Sequence, residues 1–342
     1  MAPVSHLQTG VPLRPFNTMG IAAHARMLLP VHGPGDLHEV RMDPALNIWP
    51  RLVLGGGSNL LFTGDFNGLV LHMRGKGIAI VGETGDAVLV RAAAGESWHG
   101  LVEWTLAHGL GGLENLSLIP GSVGASPIQN IGAYGSELKD CFHALTAFDF
   151  QAGELLHLDR AACEFGYRDS IFKHRLRERA VILDVTFALP KRWQPNLRYA
   201  ELAQEVAARG WSEPSAADIS AAVIAIRQRK LPDPALLGNA GSFFKNPVVP
   251  AAQRDAMLVR HPGLVGHAQG DGSYKLAAGW LIDQCGWKGR TMGAAGVYEK
   301  QALVLVNRGG ASGAEMVALA QAIQRDVEDR FGVRLEPEPV FV

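Results

Sequence analysis

The sequence predicts an α+β fold built from several small sheets and a few amphipathic helices. Three observations support this prediction: short β-rich runs broken by glycine, helical stripes with recognisable caps, and a length of 342 residues. Single hydrophobic cores stop growing near ~250–300 residues, so a chain of this length is expected to form two or three domains.

Strands dominate the prediction for the first half of the chain. β-Branched and apolar runs bounded by turn residues predict six strands, at Leu52–Leu54, Gly68–His72, Gly77–Val81, Ala87–Ala92, Ala144–Phe150 and Ala180–Ala188. A helix is predicted after Ser97, because apolar residues recur there at helical spacing and a glycine follows where a left-handed C-cap would end it: Trp98, Leu101, Val102, Leu106 and then Gly109.

The second half of the chain contains two predicted helices, of which the first follows a stretch of loops. The pattern weakens over Trp193–Glu205, which together with nearby prolines predicts loops near a domain border. Ile219, Val223 and Ile226 then form a helical stripe that Pro232 ends, and Arg227 and Lys230 on another face would complement the helix dipole.

A strand–helix–strand unit is predicted near the end of the chain. Ala302–Val306 would be a buried strand, and Ser312 with Glu315 fits a capping box. The helix would carry an apolar stripe and lead into a strand at Val333–Leu335; the stripe is Met316, Leu319, Ile323, Val327 and Phe331.

Composition argues against several classes of protein. A formal net charge of −1 with 19% charged residues gives no field that would attract nucleic acid. Apolar runs are far shorter than the ~18 residues of a membrane span, and Met1–Gly10 shows no secretory signal, so a cytoplasmic protein is expected. Twelve histidines and three cysteines lack metal-site spacing, so no metal and no disulfide are expected; the cysteines are Cys141, Cys163 and Cys285.

The first of two glycine-rich segments is Leu54-Gly55-Gly56-Gly57-Ser58-Asn59, directly after a predicted strand. Consecutive glycines leave amide N–H groups free to converge on an anion such as a diphosphate. The segment does not fit a GxGxxG fingerprint, since Leu60 occupies the sixth position. Taken alone, it could equally be an ordinary glycine turn.

The second segment, Pro120–Gly135, is more informative. Its sixteen residues mix glycine, hydroxyl and amide groups with almost no charge, so it could hydrogen-bond a ligand while staying buried. The alternative is a structural loop, which would be uncommon at this length without a function. The residues alone therefore predict a buried ligand that carries phosphate.

Several blocks of this chain resemble the UDP-N-acetylenolpyruvoylglucosamine reductase family. They occur in the family's order over nearly the whole chain and are Gly55–Asn59, Ile119–Gly135, Phe165–Ser170, Gly238–Pro247, Leu276–Gly286 and Leu335–Glu338. Two positions depart from the family pattern, Met19 where an aromatic is common and Ala125 where serine is frequent.

The resemblance implies an FAD-binding portion of the vanillyl-alcohol-oxidase type followed by a substrate domain. The expected division is residues 1–70 and 71–224 for two FAD-binding subdomains, 225–330 for the substrate domain and 331–342 for a segment returning to the active site. FAD would be bound and NADPH would be the hydride donor. Cofactor contacts are expected at Leu54, Gly55, Gly56, Gly57, Ser58, Asn59, Pro120, Gly121, Ser122, Gly124, Ala125, Ser126, Ile128, Gly132 and Ile182.

By family position, Arg168, Ser242 and Glu338 are the expected catalytic residues. Hydride from the flavin N5 would reach the alkene of the enolpyruvyl ether of UDP-N-acetylglucosamine, giving UDP-N-acetylmuramate for peptidoglycan synthesis. Arg168 and Glu338 would stabilise the charge that develops on the substrate, and Ser242 would supply the proton. Without the resemblance, each of the three would more often be a surface, turn or solvated residue.

The substrate contacts that the resemblance implies are Tyr134, Tyr199, Arg227, Lys230, Asn246 and Gln301, where Tyr199 belongs to a loop found in one subgroup of the family. The only partners expected are small molecules, namely the substrate and NADPH. The protein is expected to be a monomer. Two alternatives remain at this point: another FAD enzyme of the same fold, and an inactive protein that binds a nucleotide sugar.

Overall fold

The computed structural model describes residues 6–342. Its helices are α1 (Pro34–Met42), α2 (Pro44–Asn47), α3 (Trp98–Ala107), α4 (Ala200–Ala208), α5 (Ala216–Lys230), α6 (Ala251–Arg260), α7 (Ala278–Gln284) and α8 (Gly313–Phe331). Its strands are β1 (Gln8–Pro12), β2 (His24–Val31), β3 (Arg51–Leu54), β4 (Leu60–Leu61), β5 (Phe66–Met73), β6 (Ile78–Glu83), β7 (Ala87–Ala93), β8 (Gly132–Ala133), β9 (Ser136–Glu137), β10 (Phe142–Asp149), β11 (Glu154–Asp159), β12 (Ala180–Pro190), β13 (Gly238–Ser242), β14 (Val248–Val249), β15 (Gly266–Ala268), β16 (Tyr274–Leu276), β17 (Thr291–Met292), β18 (Ala295–Val297), β19 (Val304–Asn307) and β20 (Val340–Phe341). Within this part of the chain, no helix is both long and apolar enough to cross a membrane.

The chain forms two compact units. Unit 1 contains the described residues up to Val11, Ala25–Gly57 and Asn67–Arg229, and unit 2 contains Pro12–His24, Ser58–Phe66 and Lys230–Val342. The mixture of small sheets and helices confirms the predicted α+β class. The four-part division predicted from the sequence remains a prediction.

Unit 1 is built on two sheets. The first has the strand order β1-β2-β5-β3, in which β3 and β5 run parallel. The second is antiparallel with the order β11-β10-β12-β7-β6, and one of its faces packs on α3. All six strands predicted for this half are confirmed, and so is α3, which Ser97 caps and Gly109 follows at a φ of +71°.

One prediction for unit 1 is partly wrong. Trp193–Glu205 was predicted as loop, but its last six residues begin α4. Leu202 and Val206 on α4 are buried against α5, so tertiary packing stabilises a helix of nine residues, which is too short for its apolar stripe to be recognised in the sequence. The helix predicted around Ile219–Ile226 is confirmed as α5.

Unit 2 contains a four-stranded sheet of order β13-β19-β18-β17, on which α8 packs, and a three-stranded sheet of order β14-β16-β15. The predicted strand at Ala302–Val306 is confirmed as β19, and α8 has the predicted capping box between Ser312 and Glu315. Gly332 ends α8 in the left-handed conformation, at a φ of +66°.

The predicted strand at Val333–Leu335 is wrong. Val333 and Leu335 are buried and Arg334 is exposed, which gives the alternation of a strand, but no strand pairs with this segment among the described residues. Gln324 of α8 donates a side-chain hydrogen bond to the Leu335 carbonyl instead. The last strand is β20, which pairs in parallel with β4.

Candidate active site

The two glycine-rich segments contact each other in unit 1. A Cβ atom added to Gly56 would lie 2.8 Å from the Cα atom of Gly121, and the Ser122 side chain fills the space where Gly55 would carry one. Only glycine allows backbone approach this close. The first segment leaves β3 and the second follows α3, so the fold brings together two loops separated by sixty residues of sequence.

The contact leaves a group of backbone donors without protein partners. Within residues 6–342, the N–H groups of Gly56, Gly57, Gly121 and Ser122 donate no hydrogen bond, although Gly57 and Ser122 are buried. Buried amide groups are nearly always paired, so unpaired ones indicate a ligand. Amide donors on glycine turns suit a diphosphate, and the segment therefore fits the FAD that the sequence predicts.

The second segment is held by the connection between β7 and α3. Gly124 donates to the Ala94 carbonyl at 3.0 Å, and a Cβ atom on Gly124 would lie 2.5 Å from the Cβ atom of Ala94. Val123 donates to the Glu96 carbonyl, and the Gly121 carbonyl accepts from Trp98. These bonds fix the segment before any ligand binds, which lowers the entropic cost of binding.

Arg168 lies on a strained turn against the same segment. Its φ is +54°, a conformation that non-glycine residues rarely adopt. Its Nη2 atom donates to the Gly132 carbonyl at 2.7 Å. Two further hydrogen bonds join the turn to the segment, from Asn130 Nδ2 to the Gly166 carbonyl at 2.9 Å and from Ser170 Oγ to the Ile128 carbonyl at 2.7 Å. The strain is therefore imposed by this network.

Three of the predicted substrate residues form one cluster in unit 1. The rings of Tyr134 and Tyr199 meet edge to face, with centroids 5.2 Å apart. The Tyr134 hydroxyl hydrogen-bonds the side chain of Arg227, whose Nε atom is buried and has no partner within the described residues. Burial raises the pKa of Tyr134 to about 12, so the phenol stays neutral and can donate at physiological pH. Burial also lowers the pKa of Arg227.

Ser242 and Glu338 lie on adjacent segments of unit 2. The backbone N–H of Glu338 donates to the Phe243 carbonyl at 2.9 Å, and Phe244 and Pro337 form a β-bridge. Ser242 is exposed, and its hydroxyl makes no hydrogen bond to the described part of the chain. Glu338 is half-buried, and its carbonyl accepts from Asn59 Nδ2 at 3.2 Å. Two distant parts of the sequence are thus joined through their backbones, one carrying Ser242 and the other Glu338.

Asn246 and Gln301 are brought together at the start of α7. Asn246 Oδ1 accepts from the backbone N–H of Ala278 at 3.0 Å, and Gln301 Oε1 lies 3.1 Å from where Gly279 would carry a Cβ atom. Both amide oxygens are thereby oriented by the protein. The two NH₂ groups donate to no residue among 6–342, so they are available to a ligand.

Other predicted contacts depend on backbone rather than side-chain atoms. Leu54 is fully buried, and Ile182 is 4% exposed and packs in the hydrophobic core of unit 1, so we expect their main chains rather than their side chains to meet a cofactor. Pro120 and Ala125 are exposed, and Lys230 is the last residue of α5.

Sequence reasoning missed three buried amide side chains that hold the candidate site in place. Their only signal in the sequence was a polar residue among apolar neighbours, and they are Asn115, Asn130 and Asn239.

Comparison with known proteins agrees with this geometry. Residues 45–159 match a family described as FAD binding domain, and residues 233–342 match UDP-N-acetylenolpyruvoylglucosamine reductase, C-terminal domain. The UDP-N-acetylenolpyruvoylglucosamine reductase of Ralstonia nicotianae is 61% identical over 334 residues, which cover 97% of this chain and 98% of that protein. The reductase of Azoarcus sp. is 58% identical over 346 residues, covering 100% and 99%.

A solved structure shows the same fold. The crystal structure of UDP-N-acetylenolpyruvylglucosamine reductase from Thermus caldophilus matches with a TM-score of 0.68 and covers 98% of both chains at 23% sequence identity. Because so few residues are identical, this match bears on the fold alone.

Proposed function

Because the chain belongs to the UDP-N-acetylenolpyruvoylglucosamine reductase family, we propose that it uses NADPH to reduce the enolpyruvyl ether of UDP-N-acetylglucosamine to UDP-N-acetylmuramate. The observation that supports this most is the 61% identity over 97% of the chain, together with the unpaired amides of the glycine segments. The enzyme is an FAD-dependent oxidoreductase of peptidoglycan precursor synthesis. It acts on small molecules, and we expect a cytoplasmic monomer.

FAD, when bound, carries two electrons from NADPH to the substrate alkene. Gly56, Gly57, Gly121 and Ser122 would hold its diphosphate through their N–H groups, and the main chains of Leu54 and Ile182 would face other parts of the cofactor. No charged side chain is needed at these positions, since the donors are backbone groups fixed by the fold.

Arg168 and Glu338 are proposed to stabilise the charge that forms on the substrate. Hydride addition to the terminal alkene carbon leaves negative charge on the neighbouring carbon, which the substrate carboxylate delocalises. A guanidinium keeps its proton and presents a fixed fork of donors, so Arg168 suits this carboxylate. Its position is set by the bond to the Gly132 carbonyl. A protonated Glu338 would add a second donor.

Ser242 is proposed to donate the proton that completes the reduction. Its hydroxyl is exposed and uncommitted within the described residues, as a group that must meet a substrate carbon requires. The O–H bond breaks as the C–H bond forms at the carbon next to the carboxylate, and solvent returns a proton to the serine. The balance is one NADPH and one proton consumed for each alkene reduced.

Substrate binding is proposed for six side chains. They are the clustered Tyr134, Tyr199 and Arg227, the amides of Asn246 and Gln301, and Lys230 at the end of α5. Cations and amide donors are the groups expected to bind a diphosphate and a sugar.

The serine can be tested by separating the two half-reactions. In Ser242→Ala, reduction of the flavin by NADPH should keep its wild-type rate, whereas reoxidation by the UDP-sugar enolpyruvyl ether should slow by ~10²-fold or more. Stopped-flow absorbance follows both steps. Ser273→Ala, which removes a hydroxyl bonded to Asp271 in a turn, is the control and should change neither rate. If reoxidation in Ser242→Ala matched wild type, Ser242 would not be the proton donor.

A further inference from the structure

We propose that a β-bulge at Asn239–Ser242, held by the Asn239 side chain and the left-handed Gly241, positions the Ser242 hydroxyl for proton transfer. This inference rests on the proposed role of Ser242. It assigns a positioning function to two residues that do not themselves transfer the proton.

The strand register shows the bulge directly. On β13 and β19, Asn239 pairs with Val306 and Ser242 pairs with Val304, so three steps along β13 correspond to two along β19. One extra residue is therefore inserted before Ser242. Side chains alternate between the two faces of a strand. With regular pairing the Ser242 side chain would lie on one face of the sheet, and the inserted residue turns it to the other face.

Asn239 holds the bulge through all three of its side-chain hydrogen bonds. It is 4% exposed, and its Oδ1 atom accepts from the Gly241 N–H at 2.9 Å. Its Nδ2 atom donates to the carbonyls of Pro232 at 3.1 Å and Leu237 at 2.9 Å. The backbone N–H of Asn239 also donates to the Thr18 carbonyl at 2.9 Å. Asn239, which begins the bulge, is thus held by its backbone N–H and by both polar atoms of its side chain.

Gly241 supplies the conformation that the bulge requires. Its φ is +68°, which side-chain-bearing residues adopt at a cost, yet no heavy atom lies within 4 Å of where its Cβ would be. Substitutions at this position therefore test backbone conformation without introducing a clash. Asparagine tolerates this region best, alanine less well and β-branched valine least.

The residues after the bulge are also pinned. The Phe243 N–H donates to the Leu303 carbonyl at 2.7 Å, and the Phe243 carbonyl accepts from Glu338. Ser242 therefore sits between two fixed points, and the bulge sets the direction of its Cα–Cβ bond. A displacement of ~1 Å in a catalytic group can cost ~10²-fold in rate, so this geometry matters for the reaction.

The test is a graded series at Gly241 in the flavin-loaded enzyme. Reoxidation by the UDP-sugar enolpyruvyl ether should stay within a few-fold of wild type in Gly241→Asn, fall ~10-fold in Gly241→Ala and ~10²-fold in Gly241→Val. Flavin content and the rate of reduction by NADPH should be unchanged across the series. Asn239→Ala, which removes the acceptor for the Gly241 N–H, should resemble Gly241→Val.

Two controls make the series decisive. Gly332 has a similar φ of +66° and equally open space, but it caps α8, so Gly332→Val should lower thermal stability without a selective loss of reoxidation. In a Ser242→Ala background, Gly241→Val should add no further loss, because the positioned hydroxyl is already gone.

The outcomes separate this inference from the proposed function. If Ser242→Ala loses reoxidation but the Gly241 series does not, or if the series slows both half-reactions alike, the positioning role is wrong and the serine's role stands. If Ser242→Ala keeps full reoxidation, both fail together. A graded, selective loss that disappears without Ser242 supports the inference.

Discussion

At the scale of single residues, the glycines of the two segments matter because they have no side chain. They allow close contact between backbones and leave N–H groups open to a ligand. Gly56 touches Gly121 backbone to backbone, and Ser122 occupies the space over Gly55. The four N–H groups left unpaired around this contact are the feature that fits a diphosphate. Specificity for the cofactor thus begins with backbone geometry.

Gly56→Ala should lose flavin. The new Cβ would lie 2.8 Å from backbone rather than from a movable side chain, so the two segments must separate. We expect FAD affinity to fall at least ~10-fold, measured as the ratio of flavin to protein absorbance after purification and by titration of the apoprotein. Gly85→Ala is the matched control, because no atom lies within 4 Å of its added Cβ and its φ is ordinary. Equal flavin content in both variants would contradict the assigned cradle.

For single residues, the sequence indicates which glycines and hydroxyl groups belong to the site. It does not indicate which side chains hold them in place. Glycine runs are visible without a structure, because they are rare and local. Asn239 and Asn115 could not be assigned, since their partners are carbonyl groups brought to them by folding, such as Pro232 for Asn239 and Tyr134 for Asn115. Arg168, Ser242 and Glu338 were assigned by family resemblance alone.

Among the secondary-structure elements, β10 and β12 are joined by an ion pair whose carboxylate is buried and whose arginine is partly exposed. Asp149 is fully buried at the end of β10, and Arg179, directly before β12, donates to its carboxylate from Nε at 2.9 Å and from Nη2 at 2.5 Å. The turn after β10 adds the Gln151 N–H at 2.8 Å. The Arg179 bonds hold the pKa of Asp149 below its usual range.

Asp149→Asn should destabilise the protein by about 1–3 kcal/mol at pH 7, measured by urea unfolding. Because the folded pKa is lowered, the carboxylate's contribution is present above the unfolded pKa near ~4 and is lost as pH falls through the folded value. The gap between wild type and variant should therefore shrink below about pH 4. Glu83→Gln, in an exposed ion pair with Lys191, should cost less than about 1 kcal/mol. Equal effects of the two changes would contradict this account.

Helices and strands could be predicted where the local sequence signals, such as caps and apolar stripes, agree with the packing in the fold. α8 combines a capping box, a regular stripe and a glycine C-cap, and it was predicted from its first turn to its last. Val333–Leu335 has the alternation of a strand but no partner strand, because its alternation comes from packing beside α8. α4 was missed, since its stripe is short and its stability comes from α5.

On the scale of the whole molecule, each unit brings together segments that are distant in the sequence. Unit 1 brings Gly55–Gly57 to Gly121–Ser122, and unit 2 brings Ser58–Phe66 to the chain's last strand and the Glu338 segment to Ser242. Sequence patterns could not predict these returns of the chain, because they depend on contacts rather than on local periodicity. The family resemblance anticipated only the last one, the segment that carries Glu338.

We propose that this chain reduces the enolpyruvyl ether through a bound flavin and that Ser242 supplies the proton. An anaerobic titration in D₂O with unlabelled NADPH tests it most directly. We expect one equivalent of NADPH to bleach the flavin absorbance, and one equivalent of the UDP-sugar enolpyruvyl ether to restore it. The product should contain deuterium on the carbon next to the carboxylate, because the serine hydroxyl exchanges with the solvent. It should also contain deuterium on the carbon that accepts the hydride, because the N5–H of a reduced flavin exchanges with the solvent before the UDP-sugar is added. A chain purified without flavin, or a reduced flavin that the UDP-sugar does not reoxidise, would contradict the claim.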